Sequence, residues 1–191
     1  MTLPKKTIFS LPFILISLLY IVPLFTQNYY KVWQLWLPVL SWFLGALVGF
    51  LVLEFDRIVD VYIGNPDTEL SRYVKNYFKN RQLKKGWLVI TKNKVLQQKL
   101  TFHSLLFQII WILLALFTLT STSSPFGKSF IMGLGLHLIL EQWQDWVLNK
   151  NFFTKLYFWQ INRELTFKEI KIYLWIITII VAFLFIFMTR I

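Results

Sequence analysis

The chain has 191 residues, of which 57% are hydrophobic and 15% charged, a balance too apolar for an ordinary soluble domain and typical of a single integral membrane domain over residues 1–191. It has no cysteine, which excludes disulfides and thiolate chemistry and leaves only nitrogen and oxygen ligands for any metal. The net charge of +11 comes from basic residues that flank apolar stretches, so it indicates contact with the lipid bilayer and anionic lipid headgroups rather than with nucleic acid.

Two apolar stretches, residues 8–25 and 32–53, come first and are each about long enough to span a bilayer. Lys5 and Lys6 precede the first stretch, and no Ala-x-Ala-like cleavage site follows it, which favours a retained helix over a signal peptide. The second stretch contains Gly45 and Gly49, a GxxxG spacing that allows another helix to approach closely. We expect packing within the chain, and a homo-oligomer formed through the same glycines is possible.

Residues 64–101 are hydrophilic and rich in lysine and arginine, and we call them the basic segment. Leu70, Val74 and Phe78 belong to an apolar stripe with helical spacing, opposite basic side chains. The pattern predicts an amphipathic helix that lies on a membrane surface or on the chain's own helices, two alternatives that demand the same stripe. Gly86 is expected to break this helix, and a weaker one is expected from Trp87 to Leu100.

Three further apolar stretches, residues 104–119, 130–146 and 172–188, bring the predicted number of transmembrane helices to about five. Thr166 and Glu169 have the spacing of a capping box ahead of the last stretch. The aromatic residues within 150–171 suggest a segment lying at the interface. The stretch 130–146 is polar at one end, so a re-entrant helix is an open alternative, which would place the carboxyl terminus inside.

The positions of the basic residues predict the orientation. The amino terminus, the region from Arg57 to His103 and the region from Lys150 to Lys171 hold 17 of the 20 lysines and arginines. Five spans with a cytoplasmic amino terminus place all three regions on the inner side, as the positive-inside rule requires. The expected location is therefore the inner (cytoplasmic) membrane of a bacterial cell.

Ionisable residues cluster at the predicted cytoplasmic ends of three spans. His137, Glu141 and Asp145 are spaced by four and share one helix face. Near them we expect residues from the end of the second span and the start of the third, which are Glu54, Asp56, Arg57, Asp60 and His103. Ionisable groups at membrane depth are costly and are usually functional.

Three interpretations of this cluster stay open. The first is a buried polar network that fixes helix packing, with a structural or binding role, in which Arg57 pairs with Glu54 or Asp60. The second is a divalent metal site for zinc or manganese. The third is ion or proton passage along the acidic face, which the scarcity of polar residues in the other spans disfavours.

The order of the motifs resembles the membrane-bound metal-dependent hydrolases of bacterial inner membranes. Their pattern is Asp-x-Asp-His at a helix end, then Thr-His-Ser, then His-x-x-x-Asp in the next helix. The matching segments here are Glu54-Phe55-Asp56-Arg57, Phe102-His103-Ser104 and His137 to Glu141, within residues 45–146. Arg57 stands where the family has a histidine ligand, so its charge could substitute for a metal and make the chain a divergent relative.

The resemblance and the shared level of these residues define an alternative hypothesis, a metal-dependent hydrolase-like protein acting on a membrane-proximal ester or phosphate. Asp56, His103, His137 and Glu141 would be the metal ligands, and Glu54 a further ligand or the base that takes a proton from metal-bound water. Around them, Asp60 and Asp145 would orient the histidines, and Arg57 would lie beside the site.

Overall fold

The computed structural model describes residues 36–190, with side chains to residue 187, and five earlier positions, Ile14, Ser17, Leu18, Ile21 and Val22. Helices are the only regular secondary structure in the described part, which confirms the all-α prediction. Its seven α-helices are α1 (Trp36–Val59), α2 (Glu69–Lys79), α3 (Leu83–Lys92), α4 (Leu105–Ser121), α5 (Pro125–Leu148), α6 (Lys150–Tyr157) and α7 (Phe167–Arg190). Most of the predicted span 8–25 lies outside the described residues.

The ends of the helices follow local hydrogen-bonding rules. Ser104 and Ser124 cap α4 and α5 by accepting backbone N–H groups of the first turn, and Pro125 occupies the first turn of α5, where a missing donor costs least. The Thr166 and Glu169 capping box is confirmed, because each side chain accepts the backbone N–H of the other residue.

Helix α5 is the centre of the fold. Most of its residues are buried, and α1, α4 and α7 pack against it. A Cβ added at Gly49 would collide with the carbonyl oxygen of Phe130, and one added at Gly133 with that of Ala46, so α1 and α5 touch backbone to backbone. The close approach predicted from the GxxxG spacing is confirmed. In this structure α5 of the same chain covers these glycines. Homo-oligomerisation through them stays a prediction.

The faces of α1, α4 and α7 that point away from α5 are apolar and exposed. Large exposed side chains recur along all three helices and include Leu40, Leu44, Leu47 and Leu51 on α1, Ile109, Leu113 and Phe117 on α4, and Ile172, Trp175, Ile179 and Phe183 on α7. The most polar of the long helices is therefore inside, and the most apolar surfaces are outside.

By length and composition, two described stretches, Trp36–Gly64 and Phe167–Phe187, can cross a membrane, and Leu105–Ser121 is a shorter apolar helix. The predicted stretch 130–146 corresponds to α5, which carries several ionisable side chains. A five-span bundle thus stays a prediction.

The basic segment folds against the end of α1. There α1 continues into a π-helical turn, Asp60–Gly64, and the Asn65 side chain donates to Asp60. Leu70 and Val74 of α2 pack with Val61 and with Ile90 of α3, so part of the amphipathic stripe covers the chain's own helices.

The expected break at Gly86 is wrong. Gly86 lies inside α3, where its missing side chain leaves room for the Phe78 ring. The chain turns instead at Arg81, which has a φ of 56° and follows the end of α2. Beyond α3, a short 3₁₀ turn, Lys94–Leu96, replaces the rest of the expected helix from Trp87 to Leu100.

Candidate functional site

The predicted ionisable residues meet between α1, α5 and the start of α4. We call Glu54, Asp56, Arg57, Lys94, His103, His137, Glu141 and Asp145 the polar cluster. Most of these side chains are almost fully buried, the exceptions being Glu54 at 28% exposure and Lys94 at 25%. As predicted, His137, Glu141 and Asp145 occupy one buried face of α5. His137 and Glu141 contact α1, whereas Asp145 contacts the basic segment and α6.

Glu141 is at the centre of the polar cluster. Arg57 Nη2 and Lys94 Nζ each lie 2.5 Å from its Oε1 atom. His103 Nε2 lies 2.9 Å from its Oε2 atom. A carboxylate with three cation-forming partners in a buried setting is balanced by the protein's own charges, so Glu141 joins α1, the basic segment and the start of α4 to α5.

His103 lies between two carboxylates. Its Nδ1 atom is 3.1 Å from Asp56 Oδ2, and its Nε2 atom faces Glu141. Carboxylates only accept hydrogen bonds, so both ring nitrogens donate when the ring is protonated. Burial by itself lowers the pKa of His103, but the Glu141 charge and the hydrogen bonds to Asp56 and Glu141 outweigh burial and raise the pKa above its ordinary value.

The second histidine is held by the α1 backbone. His137 Nδ1 donates to the Phe50 carbonyl oxygen at 2.6 Å, and the two rings stack with centroids 4.0 Å apart. This bond directs Nε2 towards Glu54 Oε1 and Glu141 Oε2, each 3.7 Å away. The close packing of α1 on α5 therefore sets the orientation of the imidazole.

Asp145 and Asp60 have other partners than the expected histidines. Asp145 Oδ1 lies 2.6 Å from Lys94 Nζ, and Asp145 Oδ2 accepts from Tyr157 at 3.2 Å. Burial, followed by the nearby Glu141 and Asp145 charges, raises the pKa of Tyr157 well above its ordinary value, so its phenol remains a donor. Asp60 accepts from the side chains of Asn65 and Gln97. Asp56 instead provides the contact to His103 that we expected from these two acids.

Lys94, Gln97 and Tyr157 are part of this site and were missed from the sequence. Lys94 is one of ten lysines and arginines from Arg57 to His103, Arg57 included, and nothing in its local pattern distinguishes it. Gln97 is buried and donates to both the Arg57 carbonyl and Asp60, which fixes the 3₁₀ turn against the end of α1. Tyr157 is one of the aromatic residues within 150–171 whose pattern indicates an interfacial segment.

The metal ligands proposed from the sequence lie together but are already engaged with one another. Asp56 Oδ2 accepts from the Phe102 amide as well as facing His103, and two cationic side chains contact Glu141 Oε1. Across the part of the chain that the structure describes, no three or more histidine, aspartate or glutamate side chains are arranged to hold a metal ion. The present arrangement does not fit a metal.

Fold and site together define an all-helical protein with apolar outer faces and an internal ion-paired cluster. No family model, no curated protein and no solved structure matches the chain.

Proposed function

We propose that the chain is a multi-pass membrane protein of the cell membrane in which the polar cluster fastens the basic segment to the helix bundle. The proposal comprises five spans, a cytoplasmic amino terminus and a structural or binding role. The observation that carries it is the set of three cationic partners, Arg57, Lys94 and His103, around the buried Glu141.

The membrane setting is supported by the distribution of surfaces. Exposed apolar patches larger than a few hundred Å² usually mark contact with a membrane or a protein. Here exposed apolar side chains run along the outer faces of α1, α4 and α7, while α5, which carries His137, Glu141 and Asp145, is enclosed. Ionisable groups of membrane helices face the protein interior in the same way.

The fastening role follows from which segments the cluster joins. Lys94 reaches Glu141 and Asp145 of α5 from the basic segment, 47 residues away along the chain from Glu141. Gln97 adds hydrogen bonds to the end of α1. Because each of these groups would be costly to bury alone, their pairing favours one position of the segment.

Topology and fastening have separate tests. Reporter fusions at residues 28, 85, 125, 160 and 191 test the topology, and an outside signal at 85 would contradict it. For the fastening role, Lys94→Ala should accelerate amide hydrogen exchange over residues 93–99, whereas Lys168→Ala, a lysine exposed on α7, should leave it unchanged. Equal exchange in both variants would contradict the role.

The metal-dependent hydrolase-like protein is the second candidate. One observation favours it: His137 Nε2 and His103 Nε2 both face Glu141 Oε2, and Glu54 lies beside His137. A metal would require Arg57 or Lys94 to leave Glu141. Elemental analysis of protein purified without chelators, compared with His137→Ala and Glu141→Ala, tests this candidate. Stoichiometric zinc or manganese that is lost in both variants would favour it, and absence of metal would remove it.

A further inference from the structure

A groove on the outer face of the bundle leads to the polar cluster. It has a volume of about 400 Å³ and lies between α1 and α3. The described residues that line it are one carboxylate and five apolar side chains, namely Glu54, Phe50, Leu51, Phe55, Ile58 and Trp87. Leu51 and Phe55 are also exposed on the apolar outer face of α1, so the groove continues the surface that we assign to lipid.

Glu54 differs from the other acids of the polar cluster because it is reachable from outside. Its side chain is 28% exposed, compared with 8% for Glu141. Among the described residues, the nearest side-chain nitrogens of basic residues and histidines are Arg57 Nε and His137 Nε2, both 3.7 Å from a Glu54 oxygen, which is beyond hydrogen-bond distance. The carboxylate can therefore accept hydrogen bonds from a molecule in the groove.

The side chains that line the groove favour a ligand with particular chemical groups. Aromatic faces and a carboxylate attract an ammonium group, and none of the described residues that line the groove is basic. Arg57, the nearest cation to Glu54, is only 3% exposed and is paired with Glu141. The apolar walls suit a hydrocarbon chain. Lys84, three residues before Trp87 and therefore on the same side of α3, is exposed and can attract a phosphate. An ammonium, a phosphate and an acyl chain occur together in an ethanolamine phospholipid.

We infer that this groove binds a membrane phospholipid with an ethanolamine headgroup, whose primary ammonium donates to Glu54. The inference rests on the proposed membrane location. A primary ammonium has N–H donors for the carboxylate, whereas a choline headgroup has none, and a glycerol headgroup carries no positive charge. The site therefore distinguishes ethanolamine lipids from both.

The experiment is lipid binding to the full-length protein, purified in detergent, stripped of lipid and titrated with dioleoyl phospholipids that differ only in headgroup. Native mass spectrometry counts the bound lipids and gives a dissociation constant for each. The unmodified protein should prefer the ethanolamine lipid to the choline and glycerol lipids by about fivefold, the size expected for a partly exposed charged hydrogen bond.

Two variants and a control locate the site. Glu54→Gln should abolish the preference, and Leu51→Trp, which fills the groove from an exposed position, should weaken ethanolamine-lipid binding without lowering the melting temperature. Glu164→Gln removes an exposed acid from the loop before α7 and should retain the preference.

Two outcomes would overturn the inference and leave the membrane proposal intact. One is equal affinities for the three lipids, and the other is an unchanged preference in Glu54→Gln together with unchanged ethanolamine-lipid binding in Leu51→Trp. Extraction of the protein from membranes by alkaline carbonate would overturn the membrane proposal and the lipid site together.

Discussion

Replacing Arg57 by alanine should destabilise the folded protein strongly, because Arg57 is 3% exposed and its Nη2 atom lies 2.5 Å from Glu141 Oε1. Removing one partner of a buried ion pair costs about 3–5 kcal/mol, whereas a typical interhelical hydrogen bond in a membrane contributes only about 0.6 kcal/mol. Lys94 and His103 remain beside Glu141 in the variant, so we expect the lower end of the range, about 3 kcal/mol. For a chain of this length, the melting temperature should fall by about 6–12 °C.

The assay is a double-mutant cycle measured by thermal unfolding in detergent. The cycle uses Arg57→Ala, Glu141→Gln and the double variant, and it should show a coupling well above the roughly 0.5 kcal/mol that separates interacting from independent sites. Arg163 and Glu169 are the matched control, since their side chains are 67% and 40% exposed and 2.9 Å apart. Their cycle should show no measurable coupling. An unchanged melting temperature in Arg57→Ala, or additive losses in the first cycle, would refute the reasoning.

Three further outcomes are expected. Stability should decline as pH rises through the raised pKa of His103 and be greatest below its ordinary value of 6.5, and His103→Gln should flatten this part of a melting-temperature profile against pH. Gly49→Ala should destabilise by about 1–3 kcal/mol in thermal unfolding, because its Cβ meets the Phe130 backbone, whereas Gly127→Ala, with only ordinary contacts, should not. Lys94→Ala should speed tryptic cleavage within the basic segment, a result that equal cleavage rates would contradict.

Local patterns in the sequence predicted the features that depend on neighbouring residues. The spacing of His137, Glu141 and Asp145 placed them on one helix face, and the glycines of α1 predicted a close contact with another helix, which the structure identifies as α5. These predictions succeed because helical periodicity and the size of a side chain are properties of the sequence itself.

Partners from distant segments were harder to predict. Lys94 enters the polar cluster because the turn after α3 folds back on α1, and that turn depends on Gln97 bonding to the Arg57 carbonyl. The position of the turn at Arg81 rather than Gly86 likewise depends on how the Phe78 ring packs. Such contacts arise from tertiary structure, and one sequence alone does not specify them.

The most direct test of the ion-paired cluster is the protonation of His103, measured by ¹⁵N NMR of the histidine side chains. The chain has two histidines, so a His137→Gln variant assigns both sets of signals. The account predicts that both nitrogens of His103 are protonated at pH 6 and donate to Asp56 and Glu141. A His103 ring with one unprotonated or metal-bound nitrogen at that pH would contradict it.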